Sequence, residues 1–335
     1  GTGRGAELGV LFRRGEALQT LSEVTTVAFD KTGTLTEGRP VLTDLKPASP
    51  HLLRLAAAVE RQSEHPLARA VVVAAEAQRL EIPPATGFEA IPGYGASAEV
   101  EGQRVAAGAV RMFPDMAPHW RAEGEGFAVQ GKTPVYLAVD GQVLGVLAVA
   151  DRVKPGSAPA IRALAASGVE SAMVTGDARR VAAAIGAELG LRRIHAEVLP
   201  GGKVDVITAM KPGIAFVGDG INDAPALAAA DVGIAIGTGT DIAIEAAEVV
   251  LISGEPMGVA TAIRLSRAVM RNIRQNLIWA FGYNAALIPV AAGALVPFGG
   301  PQLSPMLAAG AMALSSVFVL SNALRLRRVK PVEAT

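Results

Sequence analysis

The chain has 335 residues, half of them hydrophobic and only 4% aromatic, with a formal net charge of zero. The length admits two or three domains. The neutral balance gives no electrostatic case for nucleic acid as a partner, and the absence of cysteine excludes disulfides and zinc–thiolate clusters within the chain.

Gly1 to Gly15 is glycine-rich, carries several charges and does not open as a secretory signal. It does not begin with methionine, so a processed chain or an excised fragment is expected, with the first residues as a connector. Glu16 to Leu21 predicts one or two helical turns. The apolar run Val24 to Phe29 then reads as a short buried strand, ending in Asp30-Lys31-Thr32-Gly33-Thr34-Leu35-Thr36. Ligands of open α/β sheets collect just beyond the carboxyl ends of strands. An aspartate there serves as a metal ligand, a nucleophile or a cap for the next turn, and position alone does not choose among these.

After Gly38-Arg39-Pro40 the character changes. His51 to Leu80 predicts helix, with Pro66 starting a second one. From Glu81 to Val149 short strands are expected at Ser97–Val100, Arg104–Ala107, Ala128–Gln130, Val135–Val139 and Val143–Val149, the last two joined by an Asp140-Gly141 hairpin turn. This is an antiparallel sheet with helices, inserted into another domain that resumes at Asp151. There, helices (Ala158–Ser167, Arg179–Leu189, Lys203–Met210) alternate with strands (Ser171–Val174, Ile214–Val217, Val232–Ala235), which implies a parallel sheet shared with the strand before Asp30.

Three more clusters fall at strand or helix ends. Thr175 offers a hydroxyl and Gly176 a close backbone approach to an anion, followed by Asp177; Thr-Gly-Asp also marks ordinary turns. Lys203 follows Gly201-Gly202 and is either a fixed charge for phosphate or a solubilising residue. Asp219-Gly220-Ile221-Asn222-Asp223 groups carboxylates around glycines, as magnesium requires when one or two carboxylates join phosphate oxygens.

Residues 276–298 and 303–324 are two uncharged apolar runs, each long enough to span a bilayer. Arg264, Arg267, Arg271 and Arg274 precede them, and Arg325, Arg327, Arg328 and Lys330 follow. The positive-inside rule therefore places both flanks, and the soluble domains, on the cytoplasmic side. Tyr283 and Asn284 in the first run, and Met312, Ser315 and Ser316 in the second, either line a pathway or glue helices together.

Asp30-Lys31-Thr32-Gly33-Thr34-Leu35-Thr36, with the Thr175-Gly176-Asp177, Lys203 and Asp219-to-Asp223 clusters, resembles the phosphorylation domain of the P-type ATPases, within the haloacid-dehalogenase-like group. The resemblance implies an α/β fold. A haloacid-dehalogenase-like parallel-sheet phosphorylation domain (22–40 and 151–254) would carry an inserted α+β nucleotide-binding domain (41–150). A linker helix (255–275), a transmembrane helical hairpin and a tail (325–335) would follow, with 1–21 connecting from a preceding membrane helix. It implies that Asp30 attacks the ATP γ-phosphate, with Lys31 and Asp177 in the same motifs. Mg2+ would be held by Asp30, the Thr32 carbonyl and Asp219. Thr175, Gly176 and Lys203 would take the phosphoryl oxygens, with Asn222 and Asp223 completing the site. Thr32 stands where related phosphatases carry a general-acid aspartate, which weighs against a simple phosphatase.

Ser63-Glu64-His65-Pro66 resembles the signature of the heavy-metal pumps. By that resemblance Glu60, His65, Gly93, Gly95 and Gly108 would bind the adenine end of ATP, although Ala109 replaces an expected asparagine. His65 before proline is otherwise an ordinary structural histidine. Tyr283-Asn284 and Met312 with Ser316 resemble the Cu+-exporting branch, whose Cys-Pro-Cys pair lies elsewhere. The resemblance implies an incomplete pump in the plasma (inner) membrane. Membrane lipid, a missing actuator domain and earlier transmembrane helices would be partners, a copper chaperone is a further candidate, and no nucleic acid is expected. The alternatives are a Zn(II)/Cd(II)-type pump fragment, a membrane-anchored phosphatase of the same group, or a nucleotide-binding regulatory module.

Overall fold

The computed structural model describes residues 1–63, 65–199, 201–237, 241–298 and 304–333. Its strands in chain order are β1 (Val10–Phe12), β2 (Thr26–Asp30), β3 (Val41–Lys46), β4 (Ala85–Ile91), β5 (Gly95–Val100), β6 (Gln103–Gly108), β7 (Thr133–Val139), β8 (Gln142–Ala150), β9 (Glu170–Val174), β10 (Arg193–His195), β11 (Ile214–Gly218), β12 (Val232–Ile236) and β13 (Val249–Leu251). They form two sheets, ordered β1-β13-β12-β11-β2-β9-β10 and β3-β8-β7-β6-β5-β4.

The first sheet is parallel except for β1, which pairs antiparallel with β13. Strands β2, β11 and β12 are buried along their whole length. Apolar, largely β-branched runs suit such positions, because helices cover both faces of a parallel sheet. From β2 the chain order runs outward to β9 and β10 on one side and to β11, β12 and β13 on the other. The crevice at the carboxyl end of β2 is thus a topological switch point, the place where such sheets bind ligands. Asp30 lies opposite Val174, and Phe29 opposite Val217, so the loops after β2, β9 and β11 open side by side.

The second sheet is wholly antiparallel. Its entry strand β3 pairs with its exit strand β8, Val41 opposite Ala150. The pairing extends into the connections as a Thr36–Val153 bridge. Helices Pro50–Glu60 and Pro66–Ala77 contribute Leu52, Leu53, Leu55 and Val71 to one core, with Leu137 and Leu147 from the sheet. Helix Pro118–Val129 packs Phe127 against Tyr136 and Val146 in another. Gly124 is required there, since a Cβ would stand 1.9 Å from the Tyr136 hydroxyl.

Four expectations need correction. The predicted strand Ala128–Gln130 is the end of the helix begun by Pro118; Gly124 and Gly126 dilute its apolar periodicity, while Phe127 and Ala128 are its buried face. The supposed connector forms helix Thr2–Glu7 and the edge strand β1. The final residues pack back rather than trail: Arg4 donates from Nε and Nη2 to the Val329 carbonyl at 3.0 and 2.6 Å, and Val332 N–H donates to Thr261 Oγ1 at 3.1 Å.

The fourth correction concerns the two apolar runs. Among the described residues no helix is long and apolar enough to cross a membrane. The first run belongs to one helix, Met257–Ala291, that begins in the core of the first sheet with Val259, Ala260 and Ile263. It stops short of 298, with Gly293 at positive φ and a 3₁₀ turn at Val296–Phe298. Gln275, Asn276, Tyr283 and Asn284 lower its apolar character. The second run forms helix Pro305–Leu324, and residues 299–303 lie outside the described ones. The two helices pack as a pair: Asn272 donates to the Asn322 carbonyl at 2.7 Å, Asn322 to Asn276 Oδ1 at 2.8 Å, and Trp279 meets Phe318 at 4.5 Å between ring centroids.

Candidate active site

Asp30 is nearly buried at the end of β2. Lys203, at the start of helix Gly202–Ala209, reaches it from the next loop but one. Its Nζ donates to Asp30 Oδ1 at 2.6 Å and to Asp223 Oδ1 at 2.7 Å. The other Asp223 oxygen accepts from the backbone N–H groups of Asp219 and Gly220, at 3.3 and 3.2 Å. Asp223 is therefore fully engaged in shaping the loop after β11. Asp30 Oδ2 and the Asp219 carboxylate take no part in these bonds.

Carboxylate oxygens of Asp30, Asp219 and Asp223 lie within 4.8 Å of one another. Burial first, and then the Asp223 charge, push the Asp30 carboxyl up to about 7 and that of Asp219 up to about 6. Burial alone would lower the Lys203 pKa, but the charges of Asp30 and Asp223 outweigh it and hold the ammonium above its usual range. Three carboxylates against one buried lysine leave an excess of negative charge out of water. That donor set, all hard oxygen, fits a divalent cation such as magnesium.

The loop Lys31–Leu35 curls tightly around this cluster. Gly33 has φ +76°, and a Cβ on it would fall 1.8 Å from Asp219 Oδ2, so only glycine lets the loop lie against that carboxylate. Thr32 is exposed at the loop's crest. Lys31 is buried and its Nζ pairs with Asp177 Oδ2 at 2.5 Å. Thr175 is buried, and its Oγ1 accepts from Asp177 N–H at 3.1 Å; Gly176 passes close to the Val198 carbonyl. Asn222 is exposed at the rim. Bonds thus join Asp30, Lys203 and Asp223, and Lys31, Asp177 and Thr175, at the ends of the neighbouring strands β2 and β9 and the loops beside them.

In the inserted sheet the expected glycines also meet. Gly93 and Gly95 have φ of +79° and +148°, and added Cβ atoms would stand 2.2 Å from the Ala107 carbonyl at Gly95 and 2.3 Å from the Tyr94 carbonyl at Gly108. The Ala109 N–H donates to the Tyr94 carbonyl at 2.7 Å. His65 caps the helix Pro66–Ala77, its Nδ1 accepting from Leu67 N–H at 3.2 Å. Its structural role is therefore real. Burial lowers the His65 pKa, opposed by the charge of Asp177 from the first domain. Glu60 ends helix Pro50–Glu60, and burial raises its carboxyl to about 7. Glu64, within the heavy-metal signature, lies outside the described residues.

The four residues expected to meet a transported ion are not drawn together by side-chain bonds. Asn284 donates to the Ala280 carbonyl and Ser316 to the Met312 carbonyl, each within its own helix. Met312 is exposed, and Tyr283 is half-buried. The buried side chains linking these helices, Asn272 and Asn322, were missed by sequence reading, although asparagines four residues apart (Asn272, Asn276) were a visible signal for helix pairing. Also missed was Lys154, half-buried, with Nζ 2.6 Å from the Gly33 carbonyl.

Residues 24–231 match the haloacid dehalogenase-like hydrolase family, and residues 209–263 match a second model of that description. The chain is 55% identical to copper-transporting ATPase 1 of Rhizobium meliloti, over 99% of its own length and 41% of that protein's. It resembles the structure of a zinc-transporting PIB-type ATPase with a TM-score of 0.75 and 40% identity, covering 98% of this chain and 54% of that one. The catalytic domain of the CPx-ATPase CopB-B is similar over 78% of this chain and 98% of its own length, with a TM-score of 0.63 and 25% identity. The chain spans about two fifths of the length of the curated relatives it matches. With its parallel sheet, its aspartate at the switch point and this match across most of its length, the chain belongs to the haloacid dehalogenase-like hydrolases, and its homologues are heavy-metal P-type ATPases.

Proposed function

We propose that the chain is the catalytic and last-two-helix portion of an ATP-driven heavy-metal pump, with Cu+ as cargo and an aspartyl phosphate at Asp30 as its intermediate. The observation that carries this reading is Asp30 at the switch point, bonded to Lys203, with a carboxylate oxygen within 4.8 Å of one of Asp219.

In the reaction, Asp30 Oδ2 attacks the γ-phosphorus of ATP. The bond from that phosphorus to the β–γ bridging oxygen breaks, and ADP leaves with the electron pair. Phosphoryl transfer depends mainly on positioning and charge stabilisation. Lys203 neutralises developing charge at the γ-phosphate, while Asp223 fixes Lys203 and the loop of Asp219. Thr175 Oγ1 and the Gly176 backbone offer donors for phosphoryl oxygens, and Asn222 stands at the rim. Lys31, held by Asp177, is poised for the incoming polyphosphate. Mg2+, held by Asp30, Asp219 and the Thr32 carbonyl, would supply the charge neutralisation that the buried carboxylates call for. In the insert, Glu60, His65 and the Gly93–Gly95 and Gly108 turn would receive the adenine end.

The apolar face of the helical pair, including Leu277, Ile278, Phe281, Ile288, Leu314, Val317 and Leu320, is exposed. Patches of this kind meet lipid or other apolar helices, and we assign it to the membrane side of the pump, the sheets being cytoplasmic. Cu+ suits the Met312 thioether and a helical pair without an acidic or lysine side chain between 276 and 324. A Zn2+ cargo is the second reading, favoured by the likeness to the zinc-transporting structure.

Incubation with γ-labelled ATP and Mg2+ should give an acid-stable, hydroxylamine-labile label that Asp30→Asn abolishes. Label retained in Asp30→Asn, or phosphate release with no trapped intermediate, would overturn the assignment. Stimulation of the complete pump's ATPase by Zn2+ but not Cu+ would replace the cargo.

A further inference from the structure

The insert begins just after the loop that carries Asp30 and returns just before Lys154, so the two connections run side by side. Glu37 N–H donates to the Arg152 carbonyl at 2.9 Å, and Lys154 N–H donates to the Leu35 carbonyl at 3.0 Å. Thr36 Oγ1, fully buried, lies 2.5 Å from Asp151 Oδ2. Ser157 Oγ donates to the Leu35 carbonyl at 2.7 Å. The Asp30 loop and the return segment are thus zipped together by backbone and side chain.

The Lys154 side chain adds a different link. Its Nζ donates to the Gly33 carbonyl at 2.6 Å and to the Gly254 carbonyl at 3.0 Å. Gly33 is the residue pressed against Asp219; its N–H donates to Thr36 Oγ1 at 3.3 Å, and its carbonyl is the group that Lys154 takes up. Gly254 lies after β13, with two residues between it and helix Met257–Ala291. Neither carbonyl belongs to the nucleotide or phosphoryl contacts described above. A lysine spent on two backbone carbonyls in a half-buried place, with Glu255, Asp219, Asp151 and Glu37 in its electrostatic surroundings, is not a solubilising residue. Its ammonium joins the return of the insert, the Asp30 loop and the root of the long helix.

We propose that Lys154 is a positioning residue that clamps Gly33, and so holds the Asp30 loop in its reactive shape and in register with the root of the helix Met257–Ala291. This rests on the reading of Asp30 as phosphoryl acceptor. The clamp acts on orientation, and misplacement of a reacting group by about 1 Å costs on the order of a hundredfold in rate. Removing it slows transfer to Asp30 without weakening nucleotide binding in the insert.

The test compares wild type, Lys154→Met and Lys154→Arg in the full chain. Labelling from γ-labelled ATP should slow about ten- to a hundredfold in Lys154→Met, with unchanged affinity for a non-hydrolysable ATP analogue by calorimetry. Lys154→Arg, which keeps donors within reach of both carbonyls, should recover most of the rate. Amide exchange at Gly33 and Thr36 should quicken about tenfold in Lys154→Met, while β11 stays protected. Wild-type labelling in Lys154→Met, or no recovery by arginine, overturns the proposal. If the wild type itself takes no label, the phosphoryl-acceptor reading fails instead. The exchange arm then decides the clamp alone: unchanged exchange at Gly33 and Thr36 sinks it.

Discussion

On the proposed reading, the two sheets would hold their ligands with opposite resources. At the carboxyl edge of the parallel sheet, charges are buried and bonded to one another: Lys203 between Asp30 and Asp223, Lys31 on Asp177. In the antiparallel insert the expected site is backbone laid against backbone, Gly93–Gly95 on Gly108, with Arg111 held to the Gly93 carbonyl. A site of buried charge can stabilise a transition state but is costly to leave half-made. A site of close-packed glycine costs little electrostatically but tolerates no added atom. The contrast teaches that substitutions should fail by charge in one sheet and by volume in the other.

The sharpest way to break that contrast is Lys203→Met. It strands Asp30 and Asp223 without their cation, and removal of one partner of a buried pair costs about 3–5 kcal/mol. Urea unfolding should show that loss, and the double variant with Asp223→Asn should recover part of it. A loss under about 1 kcal/mol would mean that the cluster is not a buried charged core.

Gly108→Ala is the volume counterpart. With its Cβ 2.3 Å from the Tyr94 carbonyl, the β5–β6 end must shift, and overpacking of this kind costs roughly 1–3 kcal/mol. The effect should appear in nucleotide affinity and in exchange of β5 and β6, with β2 and β11 unaffected.

The smallest effect sharpens the comparison, because Glu60 is the one titrating group among the insert's expected ligands with a raised carboxyl. In the folded chain Glu60 keeps its proton up to about 7, from an ordinary value of 4.5. Between those values the folded state binds more protons than the unfolded one, so stability falls as pH rises through that window. Glu60→Gln removes the titration and should be about 1–2 kcal/mol more stable than wild type at pH 8, and equal to it at pH 4. A constant difference across pH, followed by thermal melts, would sink the argument.

How much of this was legible depended on whether a residue's partner was its neighbour in sequence. The strand-end clusters were readable because each consists of consecutive residues after an apolar run, and an aspartate, a lysine and a Gly-Asp-Gly turn carry their chemistry with them. The parallel sheet followed from alternation. Helix Pro118–Val129 reads partly as strand because two internal glycines dilute its pattern, and one of them, Gly124, makes room for Tyr136, a residue on β7. The edge strand β1 has only three residues and exists through pairing with Val249–Leu251. Lys154 carries no motif, since its partners are carbonyls over a hundred residues earlier and a hundred later. The apolar runs were legible as composition, while the first helix ends at Ala291, shortly before Gly293 at positive φ.

Helix Met257–Ala291 runs 35 residues without a break, about 52 Å at 1.5 Å per residue. Its first turns are packed under the sheet that holds Asp30, Arg267 fastens it by donating to the carbonyls of Ser22, Ser167 and Val24, and Pro289 falls only in its last turn, too late to bend the shaft. Such a rod is a lever. The nineteen residues beyond Asn272 make an arm of about 28 Å, so a tilt of about 10° at the fulcrum sweeps the far end through roughly 5 Å. On the proposed reading of Asp30, small adjustments around one carboxylate would be magnified to several ångströms at the far end of that helix.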